Sequence, residues 1–202
     1  MNGSGGSGSG GSTAKDGGMD VPMADTHPGT GGVKAGSGGA SGSGGTSGNG
    51  CDTLPGLVWH TGNKTNFESY PAQGSEECIQ NSGCDYEGQF AGCNDTKLES
   101  WVMAHNIVSV FPDFSDPSDG AKPAPGHSDL RGHDLCIKSG SHVLRVSAID
   151  TCRDSDCDGC CTQNLGSAYD LIDVEKYTDQ RFGVDDGPIQ FADLGPNGGA
   201  CN

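Results

Sequence analysis

Apolar and polar residues alternate most clearly over Val143-Leu144-Arg145-Val146-Ser147-Ala148-Ile149. That period of two predicts a half-buried strand, which ends at Asp150-Thr151-Cys152. Asn106 to Phe111 alternates as well and predicts another strand, as does Gly132 to Lys138, with Gly140 turning the chain toward Val143. Leu171-Ile172-Asp173-Val174 precedes a short helical segment that ends at Phe182-Gly183, and a last apolar run covers Pro188 to Leu194. Cys84 to Ala91 reads as the first strand. Thr96 to His105 reads as a short helix, because Thr96 and Glu99 have capping-box spacing and Leu98, Trp101 and Val102 share a face. Cys51 to Gln80 shows little periodicity and reads as irregular structure pinned by Cys51 and Cys78, while Pro112 to Arg131 reads as a surface loop. Short strands with turn signals and one or two short helices predict a mainly β fold, a small closed barrel without exposed edges.

Composition changes the picture at the N-terminus. Roughly half of the 36 glycines fall before Cys51, in a stretch with no Trp, Tyr, Phe, Leu, Ile or Cys. Such a segment buries too little apolar surface to offset chain entropy, so residues 1–50 are expected to be a disordered Gly/Ser-rich linker. One domain, 51–202, remains out of the 202 residues. All ten cysteines lie in it, which predicts a disulfide framework in an oxidising compartment. The protein is therefore expected to be secreted or tethered at the cell surface. Its exporting segment is expected to be removed or to lie outside this sequence, since Met1-Asn2-Gly3 leads straight into low complexity.

A formal net charge of −16 argues against nucleic acid, anionic membranes and strongly acidic wall polymers as partners. No apolar run is long enough to span a membrane, and a monomer without cofactor is expected. Asp154-x-Asp156-x-Asp158-Gly159 matches the front of a calcium loop, but Leu165 stands where the bidentate Glu belongs. A looser calcium site on Asp154, Asp156 and Asp158 is the weaker alternative. Cys157-x-x-Cys160-Cys161 has zinc-like spacing but no second pair, so disulfides are the expected state. His105 reads as a packed residue. Asn63-Lys64-Thr65 and Asn94-Asp95-Thr96 fit the glycosylation sequon.

The order strand, Asp150-Thr151-Cys152, cysteine-rich loop, Leu171-Ile172-Asp173-Val174, helix, Gly183 and strand resembles the second half of a double-psi β-barrel of the barwin, expansin and family-45 endoglucanase group. The resemblance covers about Gly88 to Leu194. It implies six strands with a barrel core over about 84–194, and Asp150 and Asp173 opening onto one groove. In the hydrolytic relatives the Asp matching Asp173 is the general acid, and a second Asp lies on or after the first strand. The stretch read as that strand, Gly88 to Cys93, has none, although Asp85, Glu87 and Asp95 flank it. Expansins lack that base too and loosen polysaccharide without hydrolysis. Asp173 also reads as an N-cap for the helix after it. Trp101-Val102 with His105-Asn106-Ile107, and Asp156-Cys157 with Cys160 to Asn164, are similar to uncharacterised secreted single-domain proteins, which brings no activity.

The implied function is a secreted polysaccharide-binding or wall-loosening module for a neutral glucan such as cellulose, or for chitin. The alternatives are a glycoside hydrolase of endoglucanase type, or a lyase, with Asp173 as acid and Asp150 beside it, and a structural or adhesive extracellular domain. The expected binding residues are Tyr86, Asp150, Tyr169 and Asp173, since tyrosine faces stack on sugar C–H surfaces. Trp59, Trp101 and Tyr177 are further aromatic candidates, Trp101 better placed for a core.

Overall fold

The alternating stretch forms one wall of a closed barrel. The protein is described by a computed structural model over residues 50–114, 129–198 and 201. The chain divides into Met1–Ser43, wholly outside those residues, and Gly44–Asn202. Apart from Gly50, the linker expected over 1–50 lies outside the described residues, as do residues 115–128 of the expected surface loop. The elements in order are β1 (His60–Phe67), α1 (Glu76–Ile79), α2 (Glu99–Ala104), β2 (Ile107–Phe111), β3 (His133–Ser139), β4 (His142–Thr151), α3 (Cys160–Leu165), β5 (Leu171–Glu175), α4 (Lys176–Phe182) and β6 (Gly187–Pro196). Short 3-10 turns at Cys51–Thr53 and Asp154–Asp156 complete the set.

The six strands close in the order β1-β5-β2-β4-β3-β6, with β6 returning to β1. β1–β5 and β2–β4 are parallel, and the other pairs are antiparallel. This is the mainly β closed barrel that the strand pattern predicts, with the six strands that the family resemblance implies. Val108, Val110, Leu135, Ile137, Ile172 and Val174 fill its interior, each 1% exposed or less. Each such side chain contributes about 1.5–3 kcal/mol through burial. No helix among the described residues is long and apolar enough to cross a membrane.

Two expectations at the start of the barrel are corrected. The first strand is His60–Phe67, inside the stretch read as irregular, and the barrel therefore runs from His60 to Pro196. β1 carries no apolar alternation because its inward positions are Gly62 and Lys64, opposite the core residues Ile189 and Ile172. A Cβ on Gly62 would lie 2.9 Å from the Asp170 carbonyl oxygen and 3.3 Å from the Phe191 ring, so glycine is the residue that fits. Lys64 is 1% exposed, its Nζ 2.6 Å from Asp179 Oδ1 and 2.7 Å from Asp186 Oδ1.

Cys84–Ala91, read as the first strand, is instead a series of turns packed outside the barrel. Gly88 has φ +65°, and the Lys97 carbonyl oxygen and Tyr70 hydroxyl occupy the place of any Cβ. The Gly88 amide donates to the Ser69 carbonyl at 3.2 Å, and its own carbonyl accepts from Lys97 N at 2.8 Å. Those bonds take the backbone groups a strand ladder would need.

α2 is shorter than the Thr96–His105 expectation. Its N-cap is Leu98, with no side-chain cap, so the capping box does not form. Glu99 accepts a hydrogen bond from the Tyr177 hydroxyl on α4 instead of reaching back. His105 is packed as expected, stacked on Trp101 at 3.9 Å with Nδ1 2.6 Å from the Trp101 carbonyl.

All ten cysteines pair: Cys51–Cys136, Cys78–Cys84, Cys93–Cys201, Cys152–Cys161 and Cys157–Cys160. Cys51 and Cys78 do pin the N-terminal stretch, the first to β3 and the second to the turns that follow α1.

Candidate functional site

The ladders place four polar residues in one row across adjacent strands. Thr65 of β1 is opposite Asp173 of β5, Asp173 is opposite Ser109 of β2, and Ser109 is opposite Asp150 of β4. Strands lie about 4.8 Å apart, so the row is about 14 Å long. Asp173 faces outward because its neighbours Ile172 and Val174 point into the core. Thr65 Oγ1 donates to Asp173 Oδ1 at 2.7 Å.

Asp150 reaches the outer face by a different route. Ala148 belongs to the barrel core, and strict alternation would turn Asp150 inward as well. The β2–β4 register shifts, however: Val108 faces Ala148, while Ser109 faces Asp150. Ile149 is the extra residue of this bulge, and it packs outside the barrel against Phe90, Val102 and Ile107. The bulge restores Asp150 to the side of Asp173.

The turns at 83–91 and the cysteine loop wall Asp173, Ser109 and Asp150 of this row into a cavity of about 350 Å³, with Thr65 behind Asp173. Asp150, Asp173, Ser109, Tyr86, Phe90, Arg153 and the Cys157–Cys160 disulfide are among its lining groups. Ala91 N donates to Asp150 Oδ1 at 2.9 Å, and Gly92 N donates to the Ile149 carbonyl at 2.7 Å, fixing the wall to the bulge. Tyr86 is 51% exposed at the cavity.

Both carboxyls are half-buried and hold their protons well above the ordinary aspartate range. Burial pushes Asp173 up to about 7; the Thr65 hydrogen bond opposes this, and the negative charges of Glu77, Asp150 and Asp186 add to it. Burial likewise pushes Asp150 up to about 6, against the amides of Ala91 and Thr151 and the Arg153 charge, with Asp156 adding to the rise. A carboxyl with a raised folded pKa binds its proton more tightly folded than unfolded. Its stabilising contribution is therefore full below the unfolded value and is lost as pH rises through the folded value. For Asp173 that loss runs from about 4 to about 7. Asp173→Asn is accordingly expected to raise stability above pH 7 by about 1 kcal/mol, solvent in the cavity limiting the gain. The same substitution should change stability little near pH 3. Urea unfolding at the two pH values measures this, and equal effects at both would contradict the raised pKa.

Asp173 does not cap α4. Glu175 takes that role, its carboxylate accepting from Tyr177 N at 2.7 Å, which leaves the Asp173 carboxyl in the cavity. Tyr169 is 66% exposed but lies outside the cavity lining. Trp59, Trp101 and Tyr177 are partly buried against clusters outside the barrel interior. In the cysteine loop Asp154 accepts from Thr162 N at 2.9 Å and from its hydroxyl, while Asp156 lines the cavity. Among the described residues, the close groups of potential metal ligands here are Cys152 with Cys160 and Cys161, and Asp154 with Cys157 and Cys161. Their sulfurs are all in disulfides, and the set Asp154, Asp156 and Asp158 forms no such group.

Thr65, Ser109 and Glu77 are site residues that sequence reasoning missed. The one signal at Thr65 is its place in a sequon; nothing in the local pattern marks Ser109 or Glu77.

No family model matches the chain. No curated protein is a detectable relative. Among solved structures the chain is similar to an apo expansin from Clavibacter michiganensis, with 14% identity, a TM-score of 0.37, and coverage of 68% of this chain and 51% of that one. It is also similar to a Streptomyces papain inhibitor, with 14% identity, a TM-score of 0.34, and coverage of 69% and 98%. The chain thus spans about half the length of the expansin structure. Likenesses this low carry no argument about function, which rests on the cavity itself.

Proposed function

We propose that the protein is a secreted, monomeric, expansin-like module that binds polysaccharide in this cavity, or loosens a wall with it, without hydrolysing it. The observation that carries the reading is the row Thr65–Asp173–Ser109–Asp150, running across four strands beside exposed Tyr86. Hydroxyls and carboxyls in a line suit the hydroxyls of an extended glycan, and an aromatic face suits its C–H surfaces. β1, the observed first strand, has no Asp or Glu from His60 to Phe67, and the carboxylate directly after it, Glu68, lines the cavity but is paired with Lys176 at 3.0 Å, which disfavours it as the second carboxylate of a hydrolase. Cellulose and chitin are the first ligands to try. The five disulfides suit an oxidising, extracellular location.

A second reading, a glycoside hydrolase or lyase with Asp173 as acid and Asp150 as the other carboxyl, is favoured by one observation. Asp173 keeps its proton up to about 7 and Asp150 up to about 6. Two strand spacings, about 10 Å of backbone, separate them, against roughly 6.5–9.5 Å between carboxyl groups in inverting enzymes. Pull-down on insoluble cellulose and chitin, with reducing-end release measured in parallel, separates the readings. Retention of the wild type with no release supports the module. Release by the wild type that falls by about 100-fold or more in Asp173→Asn, with retention unchanged, makes it an enzyme.

A further inference from the structure

We infer that the cavity takes a polysaccharide bearing free amino groups, a glucosamine-type polymer in its ammonium form, in preference to a neutral or N-acetylated one. The inference rests on the proposed polysaccharide site and names the chemistry of its ligand. Five carboxyl residues line the cavity, Glu68, Glu77, Asp150, Asp156 and Asp173, with Arg153 the lining cation. Glu68 is held by Lys176 at 3.0 Å. Glu77 and Asp156 take hydrogen bonds from neutral groups, the Asn81 amide and the Ser155 hydroxyl.

These charges work against one another. Burial is the main cause of both rises; Asp156 adds to the proton affinity of Asp150 against the larger opposing effects of the Ala91 and Thr151 amides and Arg153, while Glu77 and Asp150 add to that of Asp173. A neutral glycan entering the cavity would strip water from the carboxylates and give no charge in return, which is costly. An ammonium group relieves both the repulsion and the desolvation through charge-assisted hydrogen bonds.

One further feature of the wall suits such a ligand. Tyr86, at the cavity and half exposed, offers a ring face to a sugar C–H surface or to the ammonium itself.

The test compares hexasaccharides that differ only at the second carbon: glucosamine hexamer, N-acetylglucosamine hexamer and cellohexaose. Binding to the full chain is measured by calorimetry near neutral pH, where an amino sugar is still partly in its ammonium form and acid has not protonated Asp150 and Asp173, at low and high salt. The glucosamine hexamer is expected to bind about tenfold or more tightly than the other two at low salt, and the gap should close at high salt. Because the whole protein is acidic, the control is positional. Glu77→Gln with Asp156→Asn should weaken the glucosamine hexamer about fivefold or more, whereas Asp52→Asn with Asp185→Asn should leave it within about twofold. Equal binding of the three hexamers overturns the inference and leaves the polysaccharide reading standing. Equal losses in the two double variants also overturn it, since the attraction would then belong to the surface at large. Tighter binding of hexalysine than of the glucosamine hexamer overturns it in favour of a basic peptide. Binding of none of the three sugars removes the polysaccharide reading as well.

Discussion

Lys64→Met is expected to destabilise the protein by about 3 kcal/mol or more, measured by urea unfolding at pH 7. Lys64 points into the barrel from β1, in register with Ile172, and its ammonium meets Asp179 on α4 and Asp186 before β6. Methionine preserves the stem's packing but leaves two carboxylates facing each other without their cation. The 51% exposure of the Asp186 side chain lets water absorb part of the loss. Asp179→Asn in the Lys64→Met background should recover part of the stability, because the exposed pair of charges is then halved. Burial alone would lower the lysine pKa, but its hydrogen bonds to Asp179 and Asp186, with their charges, raise it overall. The contribution is thus full below the pKa of unfolded lysine and is lost only as pH rises through the higher folded value. An unchanged midpoint in Lys64→Met would show that the triad is solvated and structurally idle.

Replacing Cys51 and Cys136 together with alanine is expected to cost about 4 kcal/mol, whereas replacing Cys157 and Cys160 should cost distinctly less. The first bridge closes a separation of 85 residues, the second a separation of three. Chain-entropy loss in the unfolded state grows with the loop closed. Packing adds to the difference: Cys51 and Cys136 are 4% and 0% exposed and sit with Ala192 in a small cluster outside the barrel interior, against Trp59 and Leu57. Denaturation midpoints of the two double variants decide it. Equal costs would mean that the unfolded chain is already compact around residue 51.

Legibility from sequence followed how each strand meets the core. β4 was visible because Leu144, Val146 and Ala148 alternate with residues that the core does not take. Leu171-Ile172-Asp173-Val174 of β5 was singled out by the family resemblance, whereas β2 and β3 were visible for the same reason as β4. β1 was not, since its two inward residues are a glycine crowded by Phe191 and a lysine neutralised by distant carboxylates. Neither residue type signals burial, and both partners lie more than a hundred positions away. The Cys84–Ala91 stretch failed in the opposite direction. Its residues tolerate a strand, but the positive φ of Gly88 and the contacts it makes with Tyr70 and Lys97 decide for turns.

The sequence by itself determined a closed β-barrel and a disulfide framework confined to residues 51–202, while Asp150 and Asp173 were singled out by the family resemblance. It did so because alternation and cysteine count are local or compositional signals. The resemblance implied that the two carboxyls open onto one groove, but only the tertiary structure shows what turns them to the same side. Alternation from Ala148 would have buried Asp150, and the β2–β4 bulge reverses it. Thr65 and Ser109 join the row through ladder register alone. Register is set by pairing between strands distant in the chain, which is why no local pattern carries it.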